Sequence, residues 1–188
     1  DKEKMARVLS RRFEGLWENE EKLGRAIANI ASDYYFNAGT LELVRKTVQN
    51  QKEPVYLYTF EHWNPEVLGI FLPLVPIEDV THASELFYLF KHALFGAIMP
   101  EVTDTEQRVI DRFTTAFTNF AKFGNPNGPS GASELPTRWE QVTRQYYGKN
   151  YVFGTDTCAM RDQFFEGRTP EFIKIVNEHS AERHRSSL

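Results

Sequence analysis

Cysteine is nearly missing from this chain: Cys158 is the one thiol among 188 residues. It has no disulfide partner within the chain, and a single cysteine does not fix a redox compartment. No run of about 18 apolar residues occurs, which excludes a transmembrane helix within this stretch. Positive charge is not in excess either. The chain carries 22 Lys and Arg against 26 Asp and Glu, a formal charge of -4, so it lacks the basic footprint of a nucleic-acid partner. His179 and His184 sit in a charged tail without metal-ligand spacing to a cysteine or a second cluster, so no metal and no other cofactor is expected. There is no internal repeat and no convincing domain boundary.

What is present fits a globular piece. Hydrophobic residues make up 41% and charged residues 26%, ordinary shares, while the 14% aromatic content implies a large core or an apolar cavity. Helical spacing of Met5, Val8, Leu9, Phe13 and Leu16 predicts a first helix, and Leu23, Ile27 and Ile30 a second. A third runs from about Thr40 to Asn50 with Leu41, Val44 and Val48 on one stripe, Gly39 serving as the turn before it. A strand over residues 54 to 61 follows at once, a helix-to-strand crossover of the kind that feeds a mostly parallel sheet.

Pro65, Pro73 and Pro76 keep residues 64 to 79 irregular, although the segment is rich in apolar side chains. It reads either as pocket wall or as a surface packed on a neighbouring domain. Thr103, Asp104, Thr105 and Glu106 form a capping-box pattern, after which Val109, Ile110, Phe113, Ala116, Phe117 and Phe120 make a wide apolar stripe. That helix ends at Gly124, with Pro126 just beyond. A short strand near 150 to 154 and a final helical region from about Thr157 follow, and the charged tail from Glu178 is expected to fray. Two clear strands are marginal in water, so the chain should be completed by another part of the same polypeptide.

One histidine stands out. His82 lies on a loop between the strand at 54 to 61 and the aromatic helical run Glu85-Leu86-Phe87-Tyr88-Leu89-Phe90, and imidazole can take and return a proton at neutral pH. The sequence His82-Ala83-Ser84-Glu85-Leu86-Phe87-Tyr88-Leu89-Phe90, after Pro54-Val55-Tyr56-Leu57-Tyr58-Thr59-Phe60, resembles the C-terminal part of the type-B carboxylesterase and cholinesterase family. There the catalytic histidine sits in H-G-x-E-x-x-Y-x-F, following P-x-Y-x-Y-x-F. The segment Phe117 to Asn127 is similar to the family's F-x-x-F-A-x-x-G-x-P-N. Trp139, Tyr151-Val152-Phe153 and Cys158 with Asp162-Gln163-Phe164-Phe165 continue the resemblance in the same order, from about Ser32 to about Phe172. Ala83 departs from the family's glycine. Ala38 stands where cholinesterases carry a cysteine bonded to the counterpart of Cys158.

The resemblance implies an α/β fold: the C-terminal portion of an α/β-hydrolase, mostly helices packed on the last strands of a central, mostly parallel sheet, with residues 1–188 as part of one domain. It implies a carboxylic ester hydrolase working through a Ser-His-acid triad, with His82 as general base. α/β-Hydrolases place the serine on a G-x-S-x-G elbow, ahead of the acid and then the histidine. No such elbow occurs here, and Gly128-Pro129-Ser130-Gly131 lies downstream of His82 in a Pro/Gly-rich loop. The family's acid normally lies farther upstream than the 81 positions before His82. The serine and the acid are therefore expected on an N-terminal part of the same polypeptide, the main partner besides a small-molecule ester. Phe71, Leu72, Leu74 and Thr81 are the candidate substrate-binding residues.

The alternative is a catalytically inactive, cholinesterase-like adhesion or binding module, since fold does not fix function. By resemblance a secreted or endoplasmic-reticulum protein is favoured, with the cytoplasm also open. Among other candidates, Asp33 is a buried ion-pair residue or a triad acid, and Glu85 orients His82 or is favoured by the helix dipole. His62 and His92 read as loop and helix-end residues.

Overall fold

A computed structural model describes residues 19–68, 77–90, 102–129, 133 and 135–186. In order the elements are α1 (Glu20–Ser32), a π-helical turn (Asp33–Asn37), α2 (Ala38–Asn50), β1 (Tyr58–Phe60), α3 (Pro65–Leu68), α4 (Glu85–Phe90), α5 (Asp104–Phe123), β2 (Asn150–Phe153), β3 (Cys158–Arg161), a 3-10 turn (Phe164–Gly167) and α6 (Arg168–Ser186). The chain is mixed helix and sheet, as expected of an α/β protein. Close contacts divide it into two compact units, one of residues 1–46 and 164–188, the other of residues 47–163. The helix expected over residues 5 to 16 lies outside the described residues.

In the first unit, Asn19 caps α1 by accepting the Lys22 N–H at 2.9 Å. Gly39 does not form the expected turn. The chain stays helical through Asp33–Asn37 and into α2, because the Ala38 N–H bonds Asp33 O and the Thr40 hydroxyl donates to Phe36 O at 2.9 Å. A mid-helix glycine costs about 1 kcal/mol, which these continuing bonds offset. Leu41 and Val44, with Val48 on the part of α2 that belongs to the second unit, are buried on one stripe as their spacing predicts, whereas Ile27 of α1 remains 54% exposed. The tail is helical through Ser186.

The second unit is built on a sheet of order β1-β2-β3. β1 and β2 are parallel, with Tyr58 opposite Tyr151 and Phe60 opposite Phe153, so a long crossover must join them; it contains α4 and α5. The ladder in β1 is shorter than the run 54 to 61. Its flanks are bonded all the same: Tyr151 N–H reaches Leu57 O at 2.9 Å and Glu61 N–H reaches Phe153 O at 2.8 Å.

A third strand replaces the helical start expected at Thr157. Cys158–Arg161 pairs antiparallel with β2, and α6 begins only at Arg168. The tight turn makes this possible: Gly154 N–H bonds Thr157 O at 3.1 Å, and a Cβ on Gly154 would sit 2.8 Å from that same oxygen. Cys158 is buried and free.

α5 covers this sheet. Its N-cap Thr103 accepts the Glu106 N–H at 3.2 Å, as in a capping box, while the Glu106 carboxylate accepts the Thr103 hydroxyl in place of the backbone N–H of the full motif. Val109, Ile110, Phe113 and Ala116 are buried. Phe113, 0% exposed, lies between the rings of Tyr58, Phe60, Phe117 and Phe153 at centroid distances of 5.7, 5.3, 4.6 and 4.9 Å. Much of the aromatic content is thus core. Gly124, at φ 66, ends the helix by bonding Phe120 O at 2.8 Å.

The loop beyond is fastened by Asn127. Its carbonyl accepts the Trp139 N–H at 2.7 Å and its amide donates to Trp139 O at 2.8 Å, while the Trp139 indole N–H donates to Leu57 O at 3.2 Å. Among the described residues, no helix is long and apolar enough to cross a membrane.

Candidate active site

The parallel pair β1 and β2 sends its carboxyl ends the same way, and the crevice outside such ends is where open α/β sheets bind ligands. β1 runs out into Glu61, His62 and Asn64, and β2 into the turn Gly154–Thr157. Farther along the β1 exit, Thr81–Ser84 forms a turn closed by the Ser84 N–H on Thr81 O at 3.2 Å, and α4 follows directly. His82 is exposed in this turn and Thr81 is half-buried. Phe71, Leu72 and Leu74 lie outside the described residues, as does His92. Glu85 opens α4, where its carboxylate is favoured by the helix dipole. Burial, reinforced by the Glu85 charge, pushes the Tyr58 hydroxyl up to about 12.

The residue after His82 accounts for its place in the motif. Ala83 has φ 67, the left-handed region that favours glycine. For a residue with a Cβ this conformation costs roughly 1–2 kcal/mol, which explains why the resembling motif has glycine there. Ala83→Gly is expected to stabilise the protein by about 1 kcal/mol, after the larger unfolded-state entropy of glycine is deducted. A lower urea midpoint in the variant would contradict this conformation.

His62 lies on a loop, as its sequence context predicts, and is buried there. Its Nδ1 lies 2.8 Å from Thr155 Oγ1 and its Nε2 lies 2.8 Å from Glu106 Oε1. Asn64 donates a further bond to Glu106 Oε1 at 2.9 Å. Burial pushes the Glu106 carboxyl up, but the hydrogen bonds from Thr103, His62 and Asn64 overcome this and hold it below its ordinary value. A depressed carboxyl contributes stability that is present above its unfolded pKa and lost as pH falls through the folded one, so the cluster loosens on acidification.

The hydroxyl, imidazole and carboxylate form a line that superficially matches a catalytic relay. Both ring nitrogens are occupied, however, and the imidazole side chain is only 2% exposed, so it has no nitrogen to offer a substrate. Beyond the capping-box pattern this cluster has no sequence signal, because its members lie 44 and 93 positions apart.

Asp33 is equally enclosed, at 0% exposure. It accepts bonds from Arg168 Nε at 2.9 Å, the Thr169 hydroxyl at 2.8 Å and the Asn37 amide at 3.1 Å. This is the buried ion-pair arrangement. Among the described residues there is no group of three or more His, Cys, Asp or Glu side chains placed to hold a metal.

Known proteins resemble this chain over most of its length. The chain is 31% identical over 163 residues to an esterase of Caenorhabditis elegans, covering 86% of this chain and 28% of that protein. It is 31% identical over 136 residues to the cocaine esterase of Homo sapiens, covering 72% and 23%. With the acylcarnitine hydrolase of Rattus norvegicus it shares 27% identity over 185 residues, covering 96% and 31%. The chain thus spans less than a third of the length of each of these relatives. The carboxylesterase family model matches residues 1–170, and by that match the chain belongs to the carboxylesterase family.

Proposed function

We propose that this chain supplies the general base, His82, of a serine carboxylic ester hydrolase. Residues 1–188 would form the C-terminal part of a single α/β-hydrolase domain, whose nucleophilic serine and triad acid lie on an N-terminal part of the same polypeptide. The serine oxygen attacks the ester carbonyl while His82 takes its proton. The imidazolium then protonates the leaving alcohol, and water hydrolyses the acyl-enzyme with His82 again as base. The acid holds the imidazole in the required tautomer. Phe71, Leu72, Leu74 and Thr81 would contribute to the substrate-pocket wall.

The observation that carries this proposal is the setting of His82. It is an exposed imidazole on a left-handed turn, carried by the segment that leaves the carboxyl end of a parallel strand. The names of the relatives support a small-molecule ester as substrate. The test is a fluorescent fluorophosphonate probe applied to the intact protein, followed by peptide mapping. Covalent labelling of a serine outside this chain is expected. A well-folded protein that takes up no label would overturn the proposal in favour of an inactive binding module.

A further inference from the structure

His62 cannot touch a substrate, yet it sits where it can govern the turn that does. The imidazole is held by Glu106 at the first turn of α5 and by Thr155 in the β2–β3 turn, so it fixes the exit of β1 to two other elements. Against this fixed imidazole packs Tyr88, 3% exposed, with its ring centroid 5.1 Å from that of His62 and the planes at 83°. Phe60 supports the same ring, also at 5.1 Å. Tyr88 belongs to α4, which begins immediately after the turn Thr81–Ser84, and the Leu86 and Phe87 N–H groups bond Ala83 O and Ser84 O. No flexible linker separates ring and turn. The Tyr88 hydroxyl lies beside Asn64, which itself donates to Glu106, while the contact with the imidazole is made by the Tyr88 ring.

We infer that His62, clamped by Glu106 and Thr155, is a positioning residue for His82 and acts through the Tyr88 ring and α4. This rests on the assignment of His82 as general base. Displacing a catalytic group by about 1 Å can lower turnover by about 10²-fold, and loss of the clamp frees the ring for a shift of that size.

The test uses the whole protein and a p-nitrophenyl ester. His82→Ala comes first: if it keeps most activity, the proposed function itself fails and His62 has no base to position. If it is inactive, His62→Ala is expected to lower kcat by about 10²-fold with little change in KM. Tyr88→Ala should do the same and Tyr88→Phe should leave kcat intact. The double variant His62→Ala/Tyr88→Ala should lose no more than either single one. Should His62→Ala not fold, Thr155→Val is expected to lower kcat in the same direction and Thr155→Ser to restore it. Val48→Ala, a core change on α2, separates positioning from general loss of stability. The inference is overturned if His62→Ala and Thr155→Val leave kcat unchanged, if Val48→Ala matches their loss, or if Tyr88→Phe is as damaging as Tyr88→Ala.

Discussion

Replacing His82 by alanine in the whole protein is expected to lower kcat on a p-nitrophenyl ester by about 10⁴- to 10⁶-fold, the range seen when a triad member is removed from other hydrolases. The serine hydroxyl is a poor nucleophile without a base, and the leaving alkoxide needs the proton that the base has taken up. Stability should change little, within about 0.5 kcal/mol, because His82 is an exposed residue on a turn. Turnover and circular dichroism on the same preparations separate loss of chemistry from loss of fold. A variant that retains most of its activity would show that some other group takes the proton.

Several features of this unit were legible because they are local. The capping box at Thr103 and Glu106, the stripe through Val109, Ile110, Phe113 and Ala116, and the stop at Gly124 each depend on neighbours within a few turns of one helix. The strand expected over residues 54 to 61 was legible for the same reason, although only Tyr58–Phe60 forms the ladder. Periodicity misled at Gly39, where a residue that favours turns is overruled by hydrogen bonds on either side of it. It also missed β3, since four residues with only Cys158 fully buried carry no period to detect. Glu106 was visible as half of a cap; its second bond, to His62, depends on tertiary packing across 44 positions. The ion pair of Asp33 spans 135 positions, a separation at which sequence spacing carries no signal.

That ion pair yields the second large expectation. Asp33→Ala removes the acceptor for Arg168 Nε and Nη2, at 2.9 and 3.4 Å, and for the Thr169 hydroxyl at 2.8 Å. Thr169 is 0% exposed, so its hydroxyl cannot turn to water. Removing one partner of a buried pair costs about 3–5 kcal/mol. Arg168 keeps 27% exposure, so solvent screens part of this and the expected loss is near the lower end, about 3 kcal/mol. Asp33→Asn retains an acceptor oxygen without the charge and should lose about half as much. Urea denaturation of the whole protein measures both. Turnover per folded molecule decides between the two roles that Asp33 could have. With its oxygens already engaged by Arg168, Thr169 and Asn37, Asp33 is not free to orient a catalytic imidazole, so kcat should stay within about twofold of the parent. A fall of about 10⁴-fold at intact stability, the effect of removing a triad acid, would instead identify Asp33 as the carboxylate behind His82.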